Sequence, residues 1–591
     1  MAGPIRQRGH VAVVGAGVSG LFYAYFLTRF RPDIAITVYE RQARPGGWIR
    51  SVDVTNNSDD NSISTPPICF EKGPRTLRGV SSGTVLIVDT LRQLGKQDEV
   101  MVLPKQSVAN RKYVWGSKAN RLVPVPNSMR ELIPFLKGTG LAQLAVAKGF
   151  LQERKKPVEK DDESVGDFFK RRLGTTALVD NVLSAVLHGI YAGDANNLSV
   201  KALLPKLKQW EADYGSLSAM AKSKVGLKLK PFRLRKPPAP LMPEVIEWYK
   251  GIADTNMEKL AKELKQYPMV ALKSGLETLP KALFQYLSER PQVKFVFNAD
   301  LKSVTLDGKV DGKQYDHVRL TTNADSLAKL IDNAELQAVF TQLKSVDILL
   351  INIYTADPWL INHHGFGFLV PRSAQPNREG LLGIIFDSDV EQNVRPFFPN
   401  AEKRNPEASD KDNAIKLSRA TKPYHKITLM MGGHYFTGAT PSEAEIRQSV
   451  CSVLTRYLGV DCGARRFVYV ADNTDAEKSV AITPTDVVIS PSFNRQCIPQ
   501  YHTDYPNQRQ FVHDTLRQTK ISIGGMAYGG GVGVPDCVWS SFDAAAAHSY
   551  AECPQEPVLV SQEQAQIEAA AFAEPRATTA ADDVASQRYF E

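Results

Sequence analysis

Long apolar runs are missing from this chain of 591 residues. Nothing approaches the ~18 uninterrupted apolar residues of a spanning helix, and the best run, Val346–Tyr354 (VDILLINIY), has the length of a buried strand. Cysteine is scarce: Cys69, Cys451, Cys462, Cys497, Cys537 and Cys553, with no C-x-x-C pair. That excludes a disulfide scaffold, a zinc ribbon and thioredoxin chemistry, and makes a reducing compartment the default. The 10 His are scattered without an H-E-x-x-H pattern, so no metal centre is expected. Neither charge sign dominates, with 72 Lys+Arg against 63 Asp+Glu for a net +9. No continuous basic face with interleaved stacking aromatics appears, so nucleic acid is not an expected partner. Acids are absent before Asp33, whereas Arg6, Arg8 and His10 precede it. This start lacks the apolar core of a signal peptide and is faintly like an organelle-import segment.

What is present reads as a soluble globular protein of two or three domains: 43% apolar residues, 23% charged, 40 Gly and 36 Pro. Residues 10–40 spell β-α-β, with HVAVVGAG as a strand ending in glycines, Val18–Phe30 at helical periodicity and Ile34–Glu40 as a second strand. Residues 51–67 read as a polar loop, 128–265 as mostly helical, 292–320 as strands and turns, and 400–420 as a charged loop. From about 556 onward the chain is Ala-, Gln- and Glu-rich and is expected to be a flexible tail.

The first motif that carries chemistry is Gly15-x-Gly17-x-x-Gly20, set between that strand and that helix. Such glycines permit a tight turn, close approach to a pyrophosphate and close helix packing, with the helix N–H groups aimed at the anion. Glu40 follows 20 residues after Gly20, at the end of the second strand, where a carboxylate accepts from ribose hydroxyls. A dinucleotide site is expected over Gly15, Ala16, Gly17, Val18, Ser19, Gly20, Glu40 and Arg41. A second glycine pair soon follows, in Arg44-Pro45-Gly46-Gly47-Trp48. Far downstream, Ile521–Asp536 (ISIGGMAYGGGVGVPD) runs into an Ala-rich helix. A helix N-terminus there would face the electron-accepting edge of an isoalloxazine and stabilise its anionic reduced form. Together these features favour FAD over NAD.

The paired glycine motifs resemble the flavoproteins of the amine oxidase superfamily, and more specific strings resemble its protoporphyrinogen oxidases. Those strings are Phe70–Thr76 (FEKGPRT), Ala109–Val114 (ANRKYV), His188–Asp194 (HGIYAGD), Gly365–Pro371 (GFGFLVP) and Cys497–Tyr501 (CIPQY). They lie in family order across nearly the whole chain. The resemblance implies FAD, O2 and protoporphyrinogen IX, a six-electron oxidation with release of H2O2, and no side-chain oxidant beyond the flavin. It places Arg111 at a propionate, where a guanidinium fork matches a carboxylate, and Phe366, Gly367, Leu369 and Met430 on the apolar pocket wall. Trp48, Gly73, Pro74, Arg75, Thr76, Met526, Val532, Gly533 and Val534 match flavin-contacting positions, and Leu301 a main-chain adenine contact. Lys72 replaces an apolar residue usual beside Gly73, and Gly529–Gly531 carries an extra glycine. Cys497 has no base placed for thiol catalysis and reads as structural.

The implied fold is α+β: an α/β Rossmann-like FAD domain (1–90, 266–305 and 508–555), a mixed-sheet substrate domain (91–127 and 306–507) and an inserted helical membrane-binding domain (128–265). Within the last, Ala221–Lys236 (AKSKVGLKLKPFRLRK) alternates cations with apolar residues and carries no acid, a pattern suited to anionic lipid. By the same resemblance the expected location is peripheral on the mitochondrial inner membrane, as a homodimer near ferrochelatase. Taken without the resemblance, the residues leave two rivals. One is another flavin oxidase, for amines or carotenoids; the other is a flavin-free binding protein like the GDP-dissociation inhibitors.

Overall fold

A computed structural model describes residues 5–56, 68–79, 81–142, 153, 161–220, 249–250, 252–398, 424–436, 438, 440–463, 465–470, 478–480, 482–483 and 485–549. The β-α-β reading of the N-terminus holds: β1 (His10–Val14), α1 (Val18–Phe30) and β2 (Ala35–Tyr39). Their apolar runs are buried on both sides, as parallel strands under helices must be. The sheet has five strands, all parallel, in the order Val293–Val296, β2, β1, His317–Leu320, Ile521–Ile523. α1 is buried from Ser19 to Thr28 because the helix Val534–Ser549 covers the side turned away from the sheet. The Ser541 hydroxyl donates to the Ser19 carbonyl at 2.9 Å, and Phe26 meets Phe542 edge to face at 5.0 Å.

A second sheet of eight strands follows the order Phe467–Tyr469, Val487–Pro499, Ser345–Thr355, His425–Gly432, Leu381–Ile385, Gly367–Leu369, Lys112–Gly116, Arg121–Pro124. Its spine is the Val346–Tyr354 run expected to be a buried strand. One face packs Ile351, Phe368, Leu429 and Trp115 against the helix Glu443–Leu458. The other face turns toward the first sheet. A four-stranded sheet that includes Leu77–Arg78, Val100–Leu103 and Met269–Leu272 bridges the two. Described residues of 128–265 are helical, from Met129–Gly138 to Met257–Leu264. No helix among the described residues is long and apolar enough to cross a membrane.

Three sequence readings need correction, and three more fall outside the described residues. Residues 306–320, expected in the substrate domain, supply His317–Leu320 to the centre of the first sheet. Four residues between turns give too little periodicity to assign to a sheet. Residues 91–103 likewise lie with the bridging sheet, because Val100–Leu103 pairs with Met269–Leu272. The loop expected over 51–67 opens as the strand Ser51–Asn56, central between Lys478–Val480 and Ile68–Glu71; its polar side chains hid a strand held by backbone pairing on both sides. Ala221–Lys236, the charged loop 400–420 and the tail from 556 lie outside the described residues.

Candidate active site

The first glycine motif builds a cradle at the N-terminus of α1. Gly17 is the N-cap, with no side chain capping the first turn and no acid in it, so its free N–H groups and positive dipole end await an anion. A Cβ on Gly17 would find only Gly47 Cα, at 3.9 Å, leaving room beside the backbone; one on Gly20 would drive into the Gly15 carbonyl oxygen. The Gly46–Gly47 turn docks on this loop through Gly46 N–H to Ala16 O at 2.8 Å. Arg44, which sequence reasoning passed over, pins that turn by donating to Gly47 O at 2.9 Å.

Glu40 accepts from Ala16 N–H at 2.8 Å and from Gln42 N–H at 2.9 Å. Its backbone N–H and carbonyl bind Val296 and Ala299, which brings the 298–301 segment with Leu301 beside it. Arg41 is exposed at the rim. Met526, Val532 and Gly533 are half-buried along the glycine-rich turn, where Gly525 lies near the Ser19 hydroxyl. Val534 opens the long C-terminal helix. These groups fit FAD: an open glycine backbone and a free helix end for the diphosphate, a carboxylate for ribose and a second helix end for the flavin.

The Phe70–Thr76 string joins this cradle to the substrate sheet. Gly73 lies so close to the Trp48 carbonyl that a Cβ would collide with it, and the Trp48 indole is 37% exposed, free to meet a ligand. Lys72, the departure from the apolar pattern, points away from the cradle and donates to the Ser490 hydroxyl at 2.7 Å. The Arg75 guanidinium bonds Asp387 at 2.8 Å, so Gly73, Pro74 and Thr76 remain to face a ligand by backbone. Thr428 donates its hydroxyl proton to Asp387 at 2.7 Å and lies 2.9 Å from Asn352 Oδ1, and Asn352 donates to Glu71 O at 3.1 Å. This chain of polar contacts orients the sheet face that carries Asn352 and Thr428 toward the cradle. Burial pushes the Glu71 carboxyl up to about 7, despite hydrogen bonds from Leu276 N–H and Ser51.

The five predicted pocket residues lie on or beside three strands of the eight-stranded sheet, Lys112–Gly116, Gly367–Leu369 and His425–Gly432. Phe366 N–H donates to Arg111 O at 2.7 Å, and Gly367–Leu369 pairs in parallel with Lys112–Val114. Gly383 pairs with both Leu369 and Met430; their side chains pass over it, leaving no space for a Cβ. The Arg111 guanidinium is held through Nη1 by both oxygens of Glu131, at 3.1 and 3.2 Å, on the helix Met129–Gly138. Neither Glu131 nor Asp387 was foreseen, since only the fold brings carboxylates so remote in sequence to these arginines.

One further cluster lies alongside. His188 of the HGIYAGD string hydrogen-bonds Val370 O through Nδ1 at 2.7 Å and His434 through Nε2 at 3.0 Å. Burial pushes His188 down to about 4, so the pair is neutral at pH 7. Cys497 is buried and its thiol is pushed up to about 12 by desolvation, consistent with a structural role. Among the described residues no group of His, Cys, Asp or Glu is arranged to hold a metal.

Comparison with known proteins agrees with this geometry. Residues 18–547 match the family described as flavin containing amine oxidoreductase. The protoporphyrinogen oxidase of Saccharomyces cerevisiae is 34% identical, covering 92% of this chain and 98% of that protein. That of Schizosaccharomyces pombe is 26% identical over 90% and 97%. A crystal structure from Exiguobacterium sp., of a protein provisionally described as a protoporphyrinogen oxidase, superposes with a TM-score of 0.59 at 19% identity, over 92% of this chain and 98% of that one. The chain is a member of the flavin containing amine oxidoreductases, within their protoporphyrinogen oxidase branch, and an FAD enzyme.

Proposed function

We propose that this enzyme oxidises protoporphyrinogen IX to protoporphyrin IX, using three O2 and releasing three H2O2, in the penultimate step of haem biosynthesis. One observation carries the reading. An arginine and an apolar patch, Arg111 with Phe366, Gly367, Leu369 and Met430, stand together on the sheet region that faces the glycine cradle. A macrocycle with apolar faces and two carboxylates needs that combination, whereas a lone amine does not. Bound FAD supplies the two-electron acceptor for hydride from a ring methylene. The protein's own part is to hold and to shield. The α1 N-terminus takes the diphosphate, Glu40 the ribose, and the apolar wall excludes water from the macrocycle.

The same reading extends to place and partners. The basic residues before Asp33 and the alternating Ala221–Lys236 stretch support import into mitochondria and a peripheral seat on the inner-membrane lipid. A homodimer near ferrochelatase would pass on the insoluble product directly.

The test is a visible spectrum of the purified protein, then fluorescence after protoporphyrinogen IX is added in air. A flavin spectrum with rapid growth of porphyrin fluorescence and H2O2 is expected. Flavin without porphyrin would indicate an amine or carotenoid oxidase, and fully reconstituted protein without flavin a binding protein. Co-flotation with cardiolipin-containing vesicles tests the membrane seat.

A further inference from the structure

The sequence holds no C-x-x-C pair, yet the fold makes a thiol pair from Cys451 and Cys462, 11 positions apart. Cys451 lies on the helix Glu443–Leu458, which ends at Gly459 with φ 69°. A left-handed glycine at a helix end reverses the chain, and the returning segment runs back along the last turns. Gly459 N–H donates to Thr455 O at 3.1 Å, Val460 N–H to Leu454 O at 3.2 Å, and the Thr455 hydroxyl to Val460 O at 2.9 Å. Two residues further on, the Cys462 thiol reaches Cys451, its sulfur 4.0 Å from the Cys451 carbonyl oxygen. Both cysteines are free thiols.

The two sulfurs differ in setting. Cys451 is half-buried and borders an open recess with Glu443, Ala444, Arg447 and Gln448, so a small solute reaches it from water. Arg447, one turn earlier on the helix, brings a guanidinium to that recess, where it would meet negative charge developing on an attacking sulfur. Its ion pair with Glu443 is long, at 3.5 Å, and both partners are half exposed. Cys462 packs on the core between the helix and the eight-stranded sheet. Burial, and next the hydrogen bond with the Cys451 thiol, push Cys462 up to about 12, so it keeps its proton and stays beside Cys451. Neither thiol serves the flavin or the substrate wall: their helix packs on the opposite sheet face, with Tyr457 on Phe368.

We propose that Cys451 and Cys462 are a peroxide-reactive dithiol, oxidised by H2O2 to an intramolecular disulfide. The Cys451 sulfur attacks one peroxide oxygen, the O–O bond breaks, and the departing oxygen leaves as water with the thiol proton. Cys451 then carries a sulfenic acid. The Cys462 sulfur attacks Cys451 Sγ; an S–S bond forms, the S–O bond breaks, and the hydroxyl leaves with the Cys462 proton as a second water. In total two thiols give up two electrons and two protons to one H2O2, yielding one disulfide and two waters. The proposed oxidation releases that same oxidant, but the dithiol chemistry does not depend on which substrate is oxidised.

The test uses full-length wild-type, C451S and C462S holoenzymes, each checked for flavin content by absorbance. Each is treated with a small excess of reagent H2O2, quenched with catalase, alkylated, and digested with trypsin without reductant. Cleavage after Arg447, Arg456 and Arg465 puts the two cysteines on separate peptides, so the disulfide shows as a cross-link between 448–456 and 457–465. Wild type should give that cross-link in place of both free thiols, and dithiothreitol should reverse it. C462S should instead accumulate a sulfenic acid at Cys451, captured by dimedone, and C451S should leave Cys462 reduced. The buried Cys497 should stay reduced in all three. Free thiols at both positions, a disulfide that forms only after the chain is unfolded in urea, or a Cys451 sulfenic acid that persists in wild type would each overturn the proposal. Because the peroxide is added, either result leaves the oxidase reading to its own test.

Discussion

Arg75 and Asp387 form an ion pair at 2.8 Å that ties the flavin-cradle segment to the substrate sheet, with both side chains less than 10% exposed. It joins two segments remote in sequence, beside the Asn352–Glu71 and Lys72–Ser490 contacts, and Thr428 completes it by donating to the second Asp387 oxygen.

Removing one partner leaves the other charge buried and unpaired. Asp387→Ala should cost about 3 kcal/mol of stability and loosen the cradle, lowering both the thermal midpoint and the flavin content of purified protein. Unchanged values for both would mean that Arg75 finds another partner.

Gly20→Ala places a methyl where the Gly15 carbonyl oxygen lies. The loop must open, and the variant should be purified largely without flavin absorbance while its far-ultraviolet dichroism stays near wild type. Full flavin occupancy would argue against the cradle as assigned.

Arg111→Ala should leave flavin content intact and weaken binding of protoporphyrinogen IX by about 2–3 kcal/mol, the scale of a lost charge-assisted contact. Steady-state kinetics would read this as a higher KM. Equal affinity in mutant and wild type would take Arg111 out of the site.

Gly383→Ala tests the pocket wall without touching a charge. An added Cβ would meet the Phe368 carbonyl oxygen at 2.6 Å, pushing on the neighbouring strand, and would crowd Leu369 and Met430 at 2.9 and 3.1 Å. The displaced side chains should narrow the pocket, raising KM with the flavin spectrum unchanged.

Acid should destabilise the fold from pH 6.5 downward. His188 is pushed down to about 4 and His317 to about 3, both mainly by burial. Between those values and 6.5 the unfolded chain binds protons that the folded chain refuses, so stability falls as pH falls, over the whole window by about 3 kcal/mol for His188 and about 5 kcal/mol for His317. Glu71, raised to about 7, has the opposite slope between its ordinary value and 7, but it is one group against two. Urea midpoints at pH 5 and pH 7 should differ in favour of pH 7.

The glycine cradle was legible because its parts are contiguous: strand, turn, helix and second strand lie within residues 10–40 and are fixed by local chemistry. The pocket strings were legible only through likeness, since Phe366 and Leu369 have the pattern of ordinary strand core. What stayed hidden depends on long-range pairing. His317–Leu320 could not be assigned to the first sheet from four residues, and the carboxylate partners of Arg75 and Arg111 lie 312 and 20 residues away in sequence. Lys72 looked like a disturbance beside the flavin, but the fold turns it to Ser490.

The first sheet gathers its strands from residues 10–39, 293–320 and 521–523, and α1 is sealed by the helix Val534–Ser549. Synthesis proceeds from the N-terminus, and domains fold as their residues emerge. The cofactor-binding half therefore cannot close until the segment from Ile521 to Ser549 has emerged from the tunnel. Completion of the flavin cradle thus waits for that last segment, and a nascent chain stalled anywhere before Ile521 would expose an incomplete sheet edge to chaperones and proteases.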